Sequence, residues 1–583
     1  MLVNNSSVST IANIFPKEIR VPLDPFRKIL KYNIDGRVWA NVLIVGIPKK
    51  PDLFGNLKFN NLYILDRDPK IPAGFGKIQF LDGTLSLDID AFTDPKGHVK
   101  ITGIVSPVKN KTLDLKINSN TTDLKRSLRL LLAVHDIFKF KLGPVENIKG
   151  EGKGQITLAI RGKFKFPDLT GVLNIYNASG SYDTLYGTVN NIKGKLLFKG
   201  DKVYYNGITG SINGSKAIAE GYSTLKGYSD VKLSFINADM ALAHDIIFKS
   251  PLLIKTKEVI EDIERSSGIA DVILYLKGTE DTLLAKGDLD FKGVNIKYFG
   301  YLEPFNNLKG NLKFNDETLI FNNLKGDVIN SRVTVNGDIV GTDKINMTLT
   351  SPSIDLKQGR KFIIDSPALV ASSVALRDFN SITGNAAGRI VLQGDIQSKQ
   401  FFQEAEFSNP NVTLTHRNLG FPVKINRGSI LITSNGVFSK GIEAVALNTP
   451  LSIAGQVTGF AASAANVANG QPVDMSKLVP DFNIAIPKFN LSKAKELARS
   501  PVFNQQARVS LSQFKELKGE VGANINVRPK TYRAELKFND TSATYADKEI
   551  PLEISTGKLI FSDNYVELED FYSKISRSSS YIS

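Results

Sequence analysis

Apolar and polar residues alternate with period two along most of this 583-residue chain. Ala40, Val42 and Ile44 interleave with Asn41, Leu43 and Val45. The arrangement returns as Ile156, Leu158 and Ile160 among Thr157, Ala159 and Arg161, then as Val272, Leu274 and Leu276 among Ile273, Tyr275 and Lys277. It appears again as Gly388, Ile390 and Leu392 among Arg389, Val391 and Gln393. The following stretches set Leu57/Phe59, Leu173/Ile175, Leu289/Phe291 and Ala405/Phe407 against Asn56/Lys58, Val172/Asn174, Asp288/Asp290 and Glu404/Glu406. Successive side chains of a strand point to opposite faces, so the pattern predicts β-strands with one dry and one wet face. Turn signals such as Asn213-Gly214 and Asn315-Asp316 separate the strands, as in an antiparallel meander.

The alternation is itself periodic. A glycine-bounded strand runs from Gly36 to Gly46, Gly152 to Gly162, Gly268 to Gly278 and Gly384 to Gly394, each start 116 residues after the last. A fifth start, Gly519, lies 135 residues further on, and an Ala/Asn-rich insertion around Ala461 to Val479 accounts for the excess. Two further anchors, Gly55/Gly171/Gly287 and Gly194/Gly310, keep the same step. The expected organisation is the end of a preceding unit (1–35), repeats at 36–151, 152–267, 268–383 and 384–518, and a partial repeat at 519–583. Units end in less strand-like segments. Leu124, Leu128 and Leu131 lie at helical spacing, and Val259, Ile260 and Ile263 among acidic residues predict a second short amphipathic helix. Such helices are expected to cover the edge of the sheet.

A meander this long must close its apolar face, because strands twist. It can split into sandwiches, form a membrane barrel, or curl into a half-pipe with an apolar inner wall. A lipid-facing barrel would carry aromatic girdles at its strand ends. Here Phe59, Phe198, Phe314 and Phe561 fall within the apolar column, and a long fixed repeat suits a solenoid.

Composition narrows the chemistry. With 42% apolar and 22% charged residues and a mean hydropathy of −0.09, the chain is neither disordered nor a bundle of membrane helices. The balance of 73 basic against 58 acidic residues, net +15, favours anionic partners without choosing among them. The absence of cysteine excludes disulfides, thiolate metal sites and thiol catalysis. His98, His135, His244 and His416 occupy unrelated repeat positions, so no metal, cofactor or catalytic residue is expected. Gly150-Glu151-Gly152-Lys153-Gly154 lacks dinucleotide spacing and a following helix, and reads as a β-turn. Basic residues are dispersed among acids, and nucleic-acid binding is not expected. No signal peptide or membrane-spanning run is visible, and because the strand pattern runs up to the last residues the chain is expected to be a piece of something longer.

The segment Asn307 to Gly326 followed by Ser331 to Gly337 resembles the AsmA-like proteins of Gram-negative bacteria, the group that includes AsmA, TamB and YhdP. Copies at Asn191 to Gly221, Ile425 to Gly455 and Ile554 to Phe571 extend the resemblance over nearly the whole chain. The resemblance implies a periplasmic location, an inner-membrane anchor absent from this chain, and a taco-shaped β-groove that carries phospholipid toward the outer membrane. The residues point the same way, since an apolar column hundreds of residues long exceeds what a soluble protein exposes. The expected lining is Ile156, Leu158, Ile160, Val272, Leu274, Leu276, Leu289, Phe291, Leu312, Phe314, Val333, Val335, Ile390 and Leu392, and the expected partners are phospholipid acyl chains. The alternative is a structural or assembly-factor β-repeat protein of the cell envelope, with a closed core in each unit.

Overall fold

The computed structural model describes the chain except residues 1, 8–30, 48–49, 65–67, 107–110, 139–147, 184, 251–256, 258–260, 262, 280–281, 302, 316, 342–343, 366–374, 396–399, 460–476, 502–504, 547–550, 564, 576–577 and 583. Most of the 461–479 insertion therefore lies outside the described residues. The described strands number 32 and belong to one antiparallel sheet, with few short helices. The chain divides into two compact units, residues 1–261, 266–290 and 314–316, and residues 262–265, 291–313 and 317–583. Each is a meander in which successive long strands pair.

Helices interrupt the meander at the repeat step. Helix α1 (Leu124–Phe138), α2 (Met240–Lys249) and α3 (Leu356–Asp365) start 116 residues apart, and a 3-10 turn at Leu491 follows after 135. An Asx residue precedes each and satisfies the first backbone N–H groups. Arg126 N donates to Asp123 (2.9 Å), Ala241 N to Asp239 (2.9 Å), Gln358 N to Asp355 (3.1 Å) and Ser492 N to Asn490 (2.9 Å). A hydroxyl on a nearby segment accepts from the capping residue's own N–H: Thr93 for Asp123, Ser215 for Asp239 and Ser331 for Asp355. Among the described residues, six long strands separate α1 from α2, α2 from α3, and α3 from Leu491. Within the first unit α1 and α2 thus leave the sheet at the same rim. Within the second unit α3 and the 491 turn do likewise.

The strands bend near that rim. In the motifs Asn60-Asn61-Leu62, Asn190-Asn191-Ile192, Asn306-Asn307-Leu308 and Asn322-Asn323-Leu324, the second asparagine is left-handed, with φ between 48° and 55°. The ladder register shifts at three of them, between Phe59 and Leu62, Asn190 and Lys193, and Phe321 and Leu324. These are β-bulges, and each kinks its strand while returning the next leucine or isoleucine to the inner face. Leu62, Leu308 and Leu324 are buried there. The Asn213-Gly214 hairpin has φ of 45° and 89°, as a two-residue primed turn requires.

Three local expectations are corrected. Gly150 to Gly154 is not a turn but part of the strand Ile148–Lys163, with Gly152 (φ 124°) opposite Ala178, beside a register shift between Ile175 and Asn177. Helix α1 exists, but its buried face is Leu130, Ala133 and Val134, with Leu131 packed beside them and Leu124 and Leu128 half-buried. The helix expected around Val259 falls mainly on residues 258–260, which lie outside the described residues. Ile263, expected within it, instead begins the strand Ile263–Ser267, and the same repeat carries α2, started by the Asp239 cap.

The core of the first unit gathers Ile34, Leu62, Leu87, Ile101, Leu115, Ile117, Leu158, Ile160, Leu169 and Phe198 beneath α1. Arg126 fastens the helix, donating to the carbonyls of Ile64 and Thr93 (3.2 Å each). At its other end Asp136 accepts from Tyr32 (2.8 Å) and Lys31 (3.3 Å), and burial together with that carboxylate pushes the Tyr32 phenol up to about 12. The neighbouring turn is held by Asp94. Burial raises its pKa, but bonds from Lys153 and from the N–H groups of Lys96 (3.0 Å) and Gly97 (2.6 Å) outweigh this and hold it below the usual carboxylate range. A depressed folded-state pKa means stability that is present above the unfolded value, near 4, and lost as pH falls through the folded one. Thermal melts from pH 7 to 3 should therefore show the intact protein losing Tm more steeply below about pH 4 than Asp94→Asn. Parallel slopes would show that Asp94 carries no such linkage.

Candidate functional site

The inner face of the sheet is a set of apolar rows made by cross-strand partners, and its accessibility differs along the chain. In the first unit Leu57 pairs with Ile78, Ile78 with Leu87, Leu115 with Ile160 and Ile160 with Leu169. Beside it runs a second row in which Ile101 pairs with Ile117, Ile117 with Leu158, and Phe198 with Val203. Glycines take their places in this row where a large neighbour projects. Gly76 faces Phe59 and Gly171 faces Phe198. Gly287 is the tightest such case, since a Cβ there would collide with the Phe314 ring at its Cε1. Leu115 and Ile160 have no exposed surface at all. This part of the inner face is packed shut.

Further along the same unit the face opens. Val231 pairs with Leu276, Leu233 with Leu274 and Phe235 with Val272. Val272 is buried, whereas Leu274, Leu276, Leu233 and Phe235 are half-buried. Helix α2 buries none of its residues. In the second unit Val335 pairs with Leu349, Leu349 with Ile390, Ile390 with Ala405 and Ala405 with Ile432, followed by Val437 and Val457. All of these except Ala405 are half-buried, and α3 contributes no buried residue above them. Side chains that are apolar, aligned across seven strands and still partly accessible can take up acyl chains, at about 0.8 kcal/mol per buried CH₂.

The expected lining is thus distributed in four ways. Val335 and Ile390 are brought into one row through Leu349, and Leu392 lies next to it, paired with Met347. Val272, Leu274 and Leu276 form the half-open row of the first unit. Leu289, Leu312, Phe314 and Val333 are half-buried, and Phe291 is buried. Leu158 and Ile160 are closed off in the α1 core, with Ile156 half-buried at its margin.

The outer face carries cross-strand ion pairs, among them Arg161–Asp114 (3.1 Å), Lys277–Asp230 (3.8 Å) and Arg389–Glu404. Exposed pairs of this kind add little stability, but they keep that face wet. It also holds aromatic residues that the alternation did not assign there. Tyr204 pairs with exposed Leu197 and with Tyr222, opposite in parity to buried Phe198 and Val203. Two histidines meet carboxylates: His98 Nδ1 lies 2.7 Å from Asp90 and His135 Nδ1 3.4 Å from Asp136. The first contact is across strands, and only the ladder register could have revealed it. Among the described residues, no three His, Asp or Glu side chains converge to hold a metal ion, and no helix is long and apolar enough to cross a membrane. Comparison with protein-family models, with curated proteins and with solved structures gave no match to this chain.

Proposed function

We propose that this protein is a non-enzymatic lipid conduit of the AsmA-like type, which passes phospholipids between the inner and outer membranes of a cell envelope along its apolar inner face. The observation that carries the reading is the row Val335–Leu349–Ile390–Ala405–Ile432–Val437–Val457, apolar at every position and half-accessible at all but one. A succession of similar shallow sites lets an acyl chain slide, because no single position binds it much more tightly than the next. The headgroup stays in water, which removes the cost of burying a charge. A periplasmic position and an anchor outside this chain belong to the same proposal.

A photo-crosslinking residue at 392, on the inner face, should capture phospholipid in cells and in purified protein. The same residue at 393, on the exposed outer face, should not. Mass spectrometry of the adducts reads the result. Equal capture at both positions, or none at 392 in folded protein, would favour the structural β-repeat reading instead.

A further inference from the structure

We propose that the outer face of the first unit carries a docking surface for an anionic lipid bilayer, formed by neighbouring turns on the rim away from the helices. It does not depend on the conduit reading, since none of its residues lies on the inner face. The turns connect paired strands: Lys163 to Phe166, Gly200 to Lys202, and Thr224 to Ser229. Backbone bonds fix them to one another and to the adjacent turn. Leu225 N donates to Asp201 O (2.8 Å), Phe164 N to Lys111 O (2.9 Å) and Thr224 N to Tyr228 O (2.7 Å).

Six ammonium groups project from this rim. Lys111, Lys163, Lys165, Lys199 and Lys226 are exposed and Lys202 is half-buried. Asp168 and Asp201 stand among them, while Asp230 is engaged by Lys277. The local balance is therefore strongly positive. The apolar component is Phe166, 54% exposed at the tip, with Leu197 behind it at 44%. Lys226 Nζ lies 5.1 Å and Lys165 Nζ 5.6 Å from the Phe166 ring centre, and Lys202 Nζ lies 4.2 Å from that of Tyr222. Tyr222 sits between Tyr204 (5.6 Å) and Tyr228 (6.3 Å).

An exposed phenylalanine ringed by lysines fits the boundary of a charged membrane. The ring enters the headgroup layer while the lysine stems lie along apolar surface and their heads reach lipid phosphates. Single-stranded nucleic acid is the competing partner for lysine and aromatic residues together, but it needs open ring faces on which bases stack. Here ammonium groups already cover Phe166 and Tyr222.

The test uses the intact chain and extruded vesicles of phosphatidylcholine with or without about 30% phosphatidylglycerol, read by co-sedimentation. Binding is expected only to the anionic vesicles, and it should weaken as salt rises. Lys165→Gln/Lys226→Gln should bind roughly 30-fold more weakly. Lys195→Gln/Lys216→Gln, which removes the same charge away from this rim, should bind normally. A Trp39→Phe/Phe166→Trp protein, whose one tryptophan reports position 166, should shift its emission to the blue on anionic vesicles. Equal binding to neutral vesicles, no loss in Lys165→Gln/Lys226→Gln, or an unshifted tryptophan in bound protein would overturn the proposal. So would oligo-dT binding through the same lysines in the absence of vesicle binding.

Discussion

Ile160→Asp is expected to unfold the first unit. Ile160 has no exposed surface, is flanked by Leu115 and Leu169 on the paired strands, and lies in the core that α1 covers. A carboxylate there has no described partner in reach, and burying it or protonating it costs several kcal/mol. With domain stabilities of about 5–15 kcal/mol, a loss of about 4 kcal/mol or more leaves little margin. Loss of a cooperative melt, together with fast amide exchange over residues 112–169, would be the result. A melting temperature within a few degrees of the parent would mean that this core is wet.

The same chemical change should act differently in the second unit. Ile390 occupies an equivalent column and faces Leu349 and Ala405, but its side chain is only half-buried. An aspartate there keeps much of its hydration, so the fold of Ile390→Asp should survive with a small drop in melting temperature. Lipid capture at position 392 should nevertheless fall by at least tenfold, because an acyl chain crossing the site must leave the wall or strip water from the charge, and about 1.4 kcal/mol already gives that factor. Arg389→Gln, on the outer face beside it, should leave capture unchanged. If Ile390→Asp unfolds as Ile160→Asp does, the second unit has a closed core and the conduit reading fails there.

Strand periodicity and the repeat step were legible in the sequence because both are local. Side-chain parity at Ile156-Leu158-Ile160 or Val272-Leu274-Leu276 needs no knowledge of the partner strand. What the sequence concealed depends on pairing. The packing of Leu158 and Ile160 under Leu130, Ala133 and Val134 joins segments far apart in the chain, so an open wall and a shut one look alike in alternation. Bulges at Asn61, Asn191 and Asn323 add a residue to one strand only and change the parity beyond them. Helix α2 could have been found, since Asp239-Met240 stands one repeat after Asp123-Leu124, but the apolar spacing around Val259 offered a competing pattern. The outer tyrosines Tyr204 and Tyr222 escaped because the aromatic residues, Phe59, Phe198, Phe314 and Phe561 among them, were read as lying largely in the apolar column.

Among the described residues, each repeat contributes an even number of long strands, and this makes the design extensible. Six antiparallel strands return the chain to the rim from which it set out, so an added or deleted repeat leaves every later inner-face residue pointing inward and every helix on its original side. An odd number would exchange the two rims for everything downstream. Duplication of a whole unit is thus a silent event for the architecture except in one respect, reach. At about 4.8 Å per strand, each unit lengthens the sheet by roughly 29 Å. Gene duplication can in this way lengthen the sheet without redesigning a single contact within the repeat.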